Sequence, residues 1–151
     1  MRSDFFPECF YRVTVKGLCV RDGKVLLVRE SAATLSGKWE LPGGGLDLGE
    51  DIHEGFKREI KEEMGLDVKA MSKEPVYVWT HRYEANHRDI GWYYSLVLAY
   101  EFELESLDFT PTEECEAIGF FSKEELAGIP LAGQTNELSG IFDPEDFIKR
   151  R

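Results

Sequence analysis

Three glutamates, Glu59, Glu62 and Glu63, span about one helical turn beside Arg58, in a run that opens at Glu50 and stops at Gly65. Carboxylates at i, i+3 and i+4 share one side of a helix, so the question is which side. Counting about 100° per residue from Ile52, the residues Phe56, Ile60 and Met64 form an apolar stripe from about 40° to 120°. Glu54, Lys57, Arg58 and Lys61 lie opposite, between roughly 140° and 240°, on the solvent side. Glu62, Glu59 and Glu63 fall at about 280°, 340° and 20°. Glu59 and Glu63 therefore overlap the edge of the apolar stripe. Carboxylates crowded against an apolar surface repel one another and lose hydration unless a cation compensates. Two readings stay open: a solvated acidic face, or a site for a hard cation such as Mg²⁺, which prefers a few carboxylates, waters and phosphate oxygens. Gly55, at about 300°, leaves room for a loop or ligand against the helix backbone.

The elements that must carry this helix can be read on either side of it. Tyr11 to Val20 and Lys24 to Arg29 read as strands joined by Arg21-Asp22-Gly23, a strong hairpin signal. Residues 31–49 are rich in glycine and read as loop. Glu50 to Met64 reads as helix, ended by a glycine cap at Gly65. Val76 to Tyr83 and Ile90 to Leu104 read as long strands joined by Glu84 to Asp89. In the second, Glu101-Phe-Glu-Leu-Glu alternates charged and apolar residues with period two. Ala117 to Phe121 reads as a short strand, Ser122-Lys-Glu-Glu125 as a capping box, and Asp143-Pro144 as the start of a small helix. Strands and helices intermix, which predicts an α/β (α+β) chain: a mixed sheet covered by helices on both faces.

The chain has 151 residues, which predicts one domain over residues 1–151. Eighteen Lys and Arg stand against 29 Asp and Glu, a net charge of −11, which works against a nucleic-acid partner needing a basic face. A phosphorylated small molecule remains compatible if divalent metals stand between carboxylates and substrate. No apolar stretch long enough for a membrane span and no secretory h-region stand out, so a cytoplasmic protein with no membrane partner is expected. Cys9, Cys19 and Cys115 are an odd number with no Cys-x-x-Cys pair, which indicates neither a disulfide framework nor a zinc knuckle, and Cys19 in its apolar run reads as a reduced core residue.

The helix and its approach carry a resemblance. Gly44, five residues, Glu50, seven residues, then Arg58-Glu59-Ile60-Lys61-Glu62-Glu63-Met64-Gly65-Leu66 match the Nudix box, GX5EX7REUXEEXGU, at every specified position. From average residue usage, a chance match in this chain has a probability on the order of 10⁻⁷. Trp39-Glu-Leu-Pro-Gly-Gly and the strand order are also similar to the MutT-like Nudix hydrolases. The resemblance implies the Nudix fold, an α/β/α sandwich. It implies metal binding by Glu59, Glu62, Glu63 and the Gly43 carbonyl, with Arg58 and Glu50 bracing the loop against the helix. It implies hydrolysis of a nucleoside diphosphate linked to another group, by water activated with Mg²⁺, for which Mn²⁺ can substitute. A glutamate outside the box often adds a ligand or the base in this family, and Glu114, in Glu113-Glu114-Cys115-Glu116 ahead of a late strand, best fits that spacing. Catalytic roles are thus expected for Glu63, Glu62, Glu114 and Arg58.

Substrate choice is less legible. Arg29 at a strand end, Trp39 and Tyr83 are the candidate substrate contacts, with Trp79, Trp92 and Tyr93 as further aromatics. Tyr83 lies 17 residues beyond Leu66, a spacing resembling that of dinucleoside polyphosphate hydrolases in the family. Pro75 is too near the box to match the marker of ADP-ribose hydrolases. Nucleoside triphosphates and related nucleotides lead, with dinucleoside polyphosphates, ADP-ribose and nucleotide sugars as alternatives. A nucleotide-sensing module without activity is the rival from another class, disfavoured because every box glutamate is present. A Ca²⁺ loop is disfavoured because its ligand spacing is missing. A homodimer stays open.

Overall fold

The computed structural model describes residues 11–31, 37–83 and 93–148. Cys9, Trp92, the Glu84 to Asp89 connection and the start of the strand expected from Ile90 lie outside them, as does the Tyr93 side chain. Strand β1 (Tyr11–Leu18) is the spine. On one edge it pairs antiparallel with β5 (Gly43–Gly45), and on the other parallel with β8 (Tyr93–Leu104). β8 in turn carries β6 (Val68–Met71) and β7 (Tyr77–Tyr83), both antiparallel. A second, antiparallel sheet joins β2 (Val20–Arg21), β3 (Lys24–Glu30), β4 (Trp39–Glu40) and β9 (Cys115–Phe121). Asp22 and Gly23 both take positive φ, 52° and 75°, as a two-residue hairpin turn demands.

Alternation along these strands divides the apolar residues between two cores. Val15, Leu26, Val28, Tyr100, Phe102 and Leu104 face helix α1 (Ile52–Met64), packing on Phe56, Ile60 and Met64. Leu18, Val25, Leu27, Val97 and Ala99 face the other way. There they meet Leu126 of α2 (Lys123–Leu126), Leu138 of α3 (Leu138–Ile141), Phe142, and Phe147 of α4 (Glu145–Ile148). The layers are those of an α/β/α sandwich.

Several expected boundaries move for identifiable reasons. α1 begins at Ile52, not Glu50, because Asp51 is the cap: its side chain accepts from the Glu54 N–H at 3.1 Å. At the other end Gly65 takes φ 70° and its N–H donates to the Lys61 carbonyl, as expected of a glycine cap. The glycine-rich stretch read as loop contains β4 and β5, held by pairing to β3 and β1. β6 and a 3₁₀ turn at Gly133–Glu137 were not expected from the sequence, being short and set by tertiary contacts. Both halves of the capping box at Ser122 and Glu125 are formed.

Candidate active site

β5 and the C-terminal turn of α1 converge because Gly43 and Glu63 are hydrogen-bonded. The Gly43 N–H donates to Glu63 Oε1 at 3.2 Å. Gly43 has φ 120°, and a Cβ there would collide with the Val15 carbonyl oxygen, so only glycine permits this approach. At Gly44 a Cβ would lie 2.6 Å from the Glu59 carboxylate; its absence leaves the carboxylate that space. Gly55 does open room against the helix, and a loop fills it: a Cβ there would meet Glu50 and Leu46.

The three glutamates differ as the helical angles predict. Glu63 is buried, Glu59 half-buried and Glu62 exposed. Burial pushes the Glu63 pKa up to about 8, against the pull of the Lys16 ammonium. Burial likewise raises Glu59, with Arg58 opposing. Arg58 is the hub of the outer side. Its Nε and Nη2 donate to both oxygens of Glu50, at 2.7 and 2.9 Å. Its Nη1 reaches Glu59 at 3.2 Å and Glu62 at 3.1 Å. The fork-on-fork contact lowers Glu50 to about 2 and raises Arg58. Glu62 is thus turned to Arg58, and Glu63 to Gly43. Among the described residues, no three of His, Cys, Asp and Glu are gathered in a geometry that would hold a metal ion.

Two residues missed from the sequence complete the inner side. Lys16, on β1 opposite Gly43, is 2% exposed. Its Nζ donates to the carbonyls of Leu41 and Gly43, at 3.0 Å each, and lies 3.7 Å from Glu40 Oε2. Glu30, at the end of β3, is also buried, and its Oε2 has no hydrogen-bond partner among the described residues. Burial and the neighbouring Glu40 push its pKa well above the usual carboxylate range. The available signal for Lys16 was a charged residue alternating with the apolar Val13 and Val15 in a strand next to the glycine loop.

The expected outer glutamate, Glu114, lies exposed in the turn before β9. That turn is tied to the helix end, because Thr112 Oγ1 donates to the Glu63 carbonyl at 2.6 Å. The Glu114 carbonyl accepts from the Ser31 N–H at 3.3 Å. The substrate candidates separate. Arg29 lies over the Trp39 ring at 5.5 Å and forms an ion pair with Glu116 at 2.8 Å, so it is engaged rather than simply solvated. Tyr83 is elsewhere: its hydroxyl accepts from the Gln134 N–H at 3.3 Å, and its ring packs edge-on to His81. Trp79 is core, with its indole N–H donating to the Gln134 carbonyl. Cys19 and Cys115 are buried free thiols, as expected for Cys19, with pKa values raised by burial to about 11.

Gln134 belongs to a buried neutral network that the sequence did not announce. Ser95 Oγ donates to Gln134 Oε1 at 3.0 Å, and Thr14 Oγ1 lies 2.9 Å from Ser95 Oγ. Thr135 Oγ1 accepts from the Leu41 N–H at 3.2 Å, linking the 3₁₀ turn to the residues before Gly43.

Comparison with known proteins places this arrangement. A protein of Burkholderia pseudomallei described as a MutT NUDIX hydrolase superposes with a TM-score of 0.69 at 27% identity, over 89% of this chain and 99% of that one. An ADP-ribose pyrophosphatase of Methanocaldococcus jannaschii is 42% identical over 65 residues, which are 43% of this chain and 38% of that relative. The nucleoside triphosphatase NudI of an Enterobacter species is 26% identical over 127 residues, 80% of this chain and 88% of that protein. The first of these curated relatives is therefore matched over well under half its length. A NUDIX domain model matches residues 10–145, and the chain belongs to the Nudix hydrolase family.

Proposed function

We propose that the protein cleaves a pyrophosphate bond in a nucleoside diphosphate derivative, with nucleoside triphosphates and related nucleotides as the first substrate class. The observation that carries this reading is Glu63: a buried carboxylate pinned to Gly43, with its pKa pushed to about 8 by burial. A fold that buries a carboxylate beside Glu59 stabilises it best when a cation draws it into the ionised form. The donor set is hard, carboxylate and carbonyl oxygen, which suits Mg²⁺ or Mn²⁺ rather than a soft metal. Gly44 leaves the space in which the Glu59 carboxylate sits. The groups that would hold the ion are Glu59, Glu63, the Gly43 carbonyl and, once turned from Arg58, Glu62. Bound there, a divalent ion lowers the pKa of an attacking water and neutralises charge growing on phosphoryl oxygens.

The chain's own residues do the remainder. Glu50 fixes Arg58 through both its oxygens, and Arg58 holds Glu59 and Glu62 from the outer side. Glu114, on a turn anchored to the helix end, takes the proton of the attacking water. Arg29 on Trp39 offers a charged and a stacking surface to the nucleotide, and Tyr83 lies by the Gln134 network. The triphosphate class leads because the nucleoside triphosphatase relative is matched over most of both chains, the ADP-ribose pyrophosphatase over less than half of either. The net charge of −11 argues for a small-molecule partner over nucleic acid.

The test is turnover of a nucleotide panel, with products identified. Activity is expected with Mg²⁺ or Mn²⁺, absent in excess chelator and restored by the metal. Full activity in chelator would overturn the metal reading. Tight nucleotide binding without turnover across the panel would favour a sensing module instead.

A further inference from the structure

Lys16 is the unexplained charge of the site. It stands on the central strand, 2% exposed, where a Lys is rarely placed without a partner. Its Nζ spans two backbone carbonyls, Leu41 and Gly43, and faces Glu40 at 3.7 Å. Gly43 is therefore gripped on both sides of its Cα: its N–H by Glu63 Oε1 and its C=O by Lys16 Nζ. The same ammonium pulls on the buried carboxylates of Glu30 and Glu63 and on half-buried Glu59, against the desolvation that disfavours their charge. One buried cation thus serves the carbonyl and the carboxylates that a metal would serve.

We propose that Lys16 is a resident counter-cation: it keeps the Gly43 carbonyl and the buried glutamates assembled when no metal is bound, and thereby holds metal affinity down. This inference rests on the metal reading above. Two cations attracted by one set of oxygens repel each other, so what Lys16 contributes to the metal-free protein it withdraws from the metal-bound one. The site is then preformed but binds its ion reversibly. A lysine acting only as a strut would stabilise both states equally.

The experiment compares the wild-type protein with Lys16→Met, which keeps the aliphatic stem and removes the charge. Mn²⁺ binding is measured by calorimetry without nucleotide, and thermal unfolding is followed in EDTA and in saturating Mn²⁺. The variant is expected to melt lower than wild type in EDTA, to bind Mn²⁺ about 10-fold tighter, and to regain most of the lost Tm in Mn²⁺. Lys16→Gln, which keeps a donor for the carbonyls, should recover part of the EDTA stability while still binding Mn²⁺ more tightly than wild type. Equal or weaker Mn²⁺ binding, with the Tm gap unchanged by metal, overturns the proposal and leaves Lys16 a strut. Should Lys16→Met be unfolded in both conditions, equal Mn²⁺ affinity of Lys16→Gln and wild type overturns it. Wild type that takes up no Mn²⁺, even with a nucleotide present, overturns the metal reading and this inference together; the wild-type control alone separates that failure from the other.

Discussion

The two sides of the loop ending at Gly43 solve the same problem in opposite ways. Towards α1, Glu63 and Glu30 are ionisable groups removed from water and Glu59 partly so, balanced only in part by Lys16 and Arg58. Towards the 3₁₀ turn, Thr14, Ser95, Gln134 and Thr135 are neutral groups joined by hydrogen bonds. Both sides are buried and polar. Buried neutral groups that find partners rigidify a fold, whereas buried carboxylates left short of counter-charge store an affinity for cations. Side chains on the first side should therefore govern turnover at little expense in stability, and those on the second the reverse.

The largest effect expected on this contrast is at Glu63. Glu63→Gln keeps an oxygen to accept from Gly43 and removes the charge. Turnover with Mg²⁺ should fall by about 10³-fold or more, as for loss of a group that supports metal and water. Stability should move the other way. The folded pKa of Glu63 lies near 8, above its ordinary value of 4.5, so its protonated form favours folding fully below pH 4.5. That contribution is lost as pH rises from 4.5 through 8. In chelator the variant should consequently melt above wild type at pH 8.5 and close to it at pH 4.5. A variant that melts lower at every pH, with normal turnover in the folded fraction, would make Glu63 a structural residue and dissolve the contrast.

Glu114→Gln is expected to come next, with turnover reduced about 10²-fold and KM little changed, in line with a lost general base. Glu103→Gln, exposed on β8, is the control and should match wild type. The turn bearing Glu114 is anchored through Thr112 and through its own backbone, so the substitution should leave Tm unaltered. Equal, small effects at Glu114 and Glu103 would move the base into the box, to Glu62 or Glu63, and sharpen the charged side to the helix alone.

How much of this contrast the sequence could tell depends on the range of the contacts involved. Glu59, Glu62 and Glu63 lie on one helix, so a 3.6-residue period orders them correctly from half-buried through exposed to buried. Glu50 and Arg58 are eight residues apart, and their bracing is visible as a fixed spacing. Lys16 defeats the same kind of reasoning. In Val13-Thr14-Val15-Lys16, period two puts Thr14 and Lys16 on a polar face, and a polar face normally meets solvent. Here β1 runs between β5 and β8 with cores above and below, so its polar face is interior. The Thr14–Ser95–Gln134 network spans three distant segments, and Gln134 belongs to a 3₁₀ turn with no periodic signature. Arg29 was legible as a strand end, whereas its pairing with Glu116 depends on β3 meeting β9. Local order was readable; the partners brought in by sheet topology were not.

The smallest kinetic effect, and the one that most directly tests the neutral side, is expected at Ser95. Ser95 Oγ is 1% exposed in its residue and connects Thr14 to Gln134, donating to the amide oxygen. Ser95→Ala removes the middle member and leaves Gln134 Oε1 and Thr14 Oγ1 each short of a partner in a place water does not readily reach. A buried group stripped of its hydrogen bond costs about 1–3 kcal/mol, so Tm should fall clearly, by equal amounts in EDTA and in Mn²⁺. Turnover per folded molecule should change by less than about tenfold, because no charge near the phosphates is altered. The readout is thermal unfolding in both conditions beside kcat and KM on the best substrate of the panel. Should Ser95→Ala instead keep its Tm and lose turnover as Glu63→Gln does, the neutral network would belong to the chemistry as fully as the carboxylates, and charge would not be what separates the two sides.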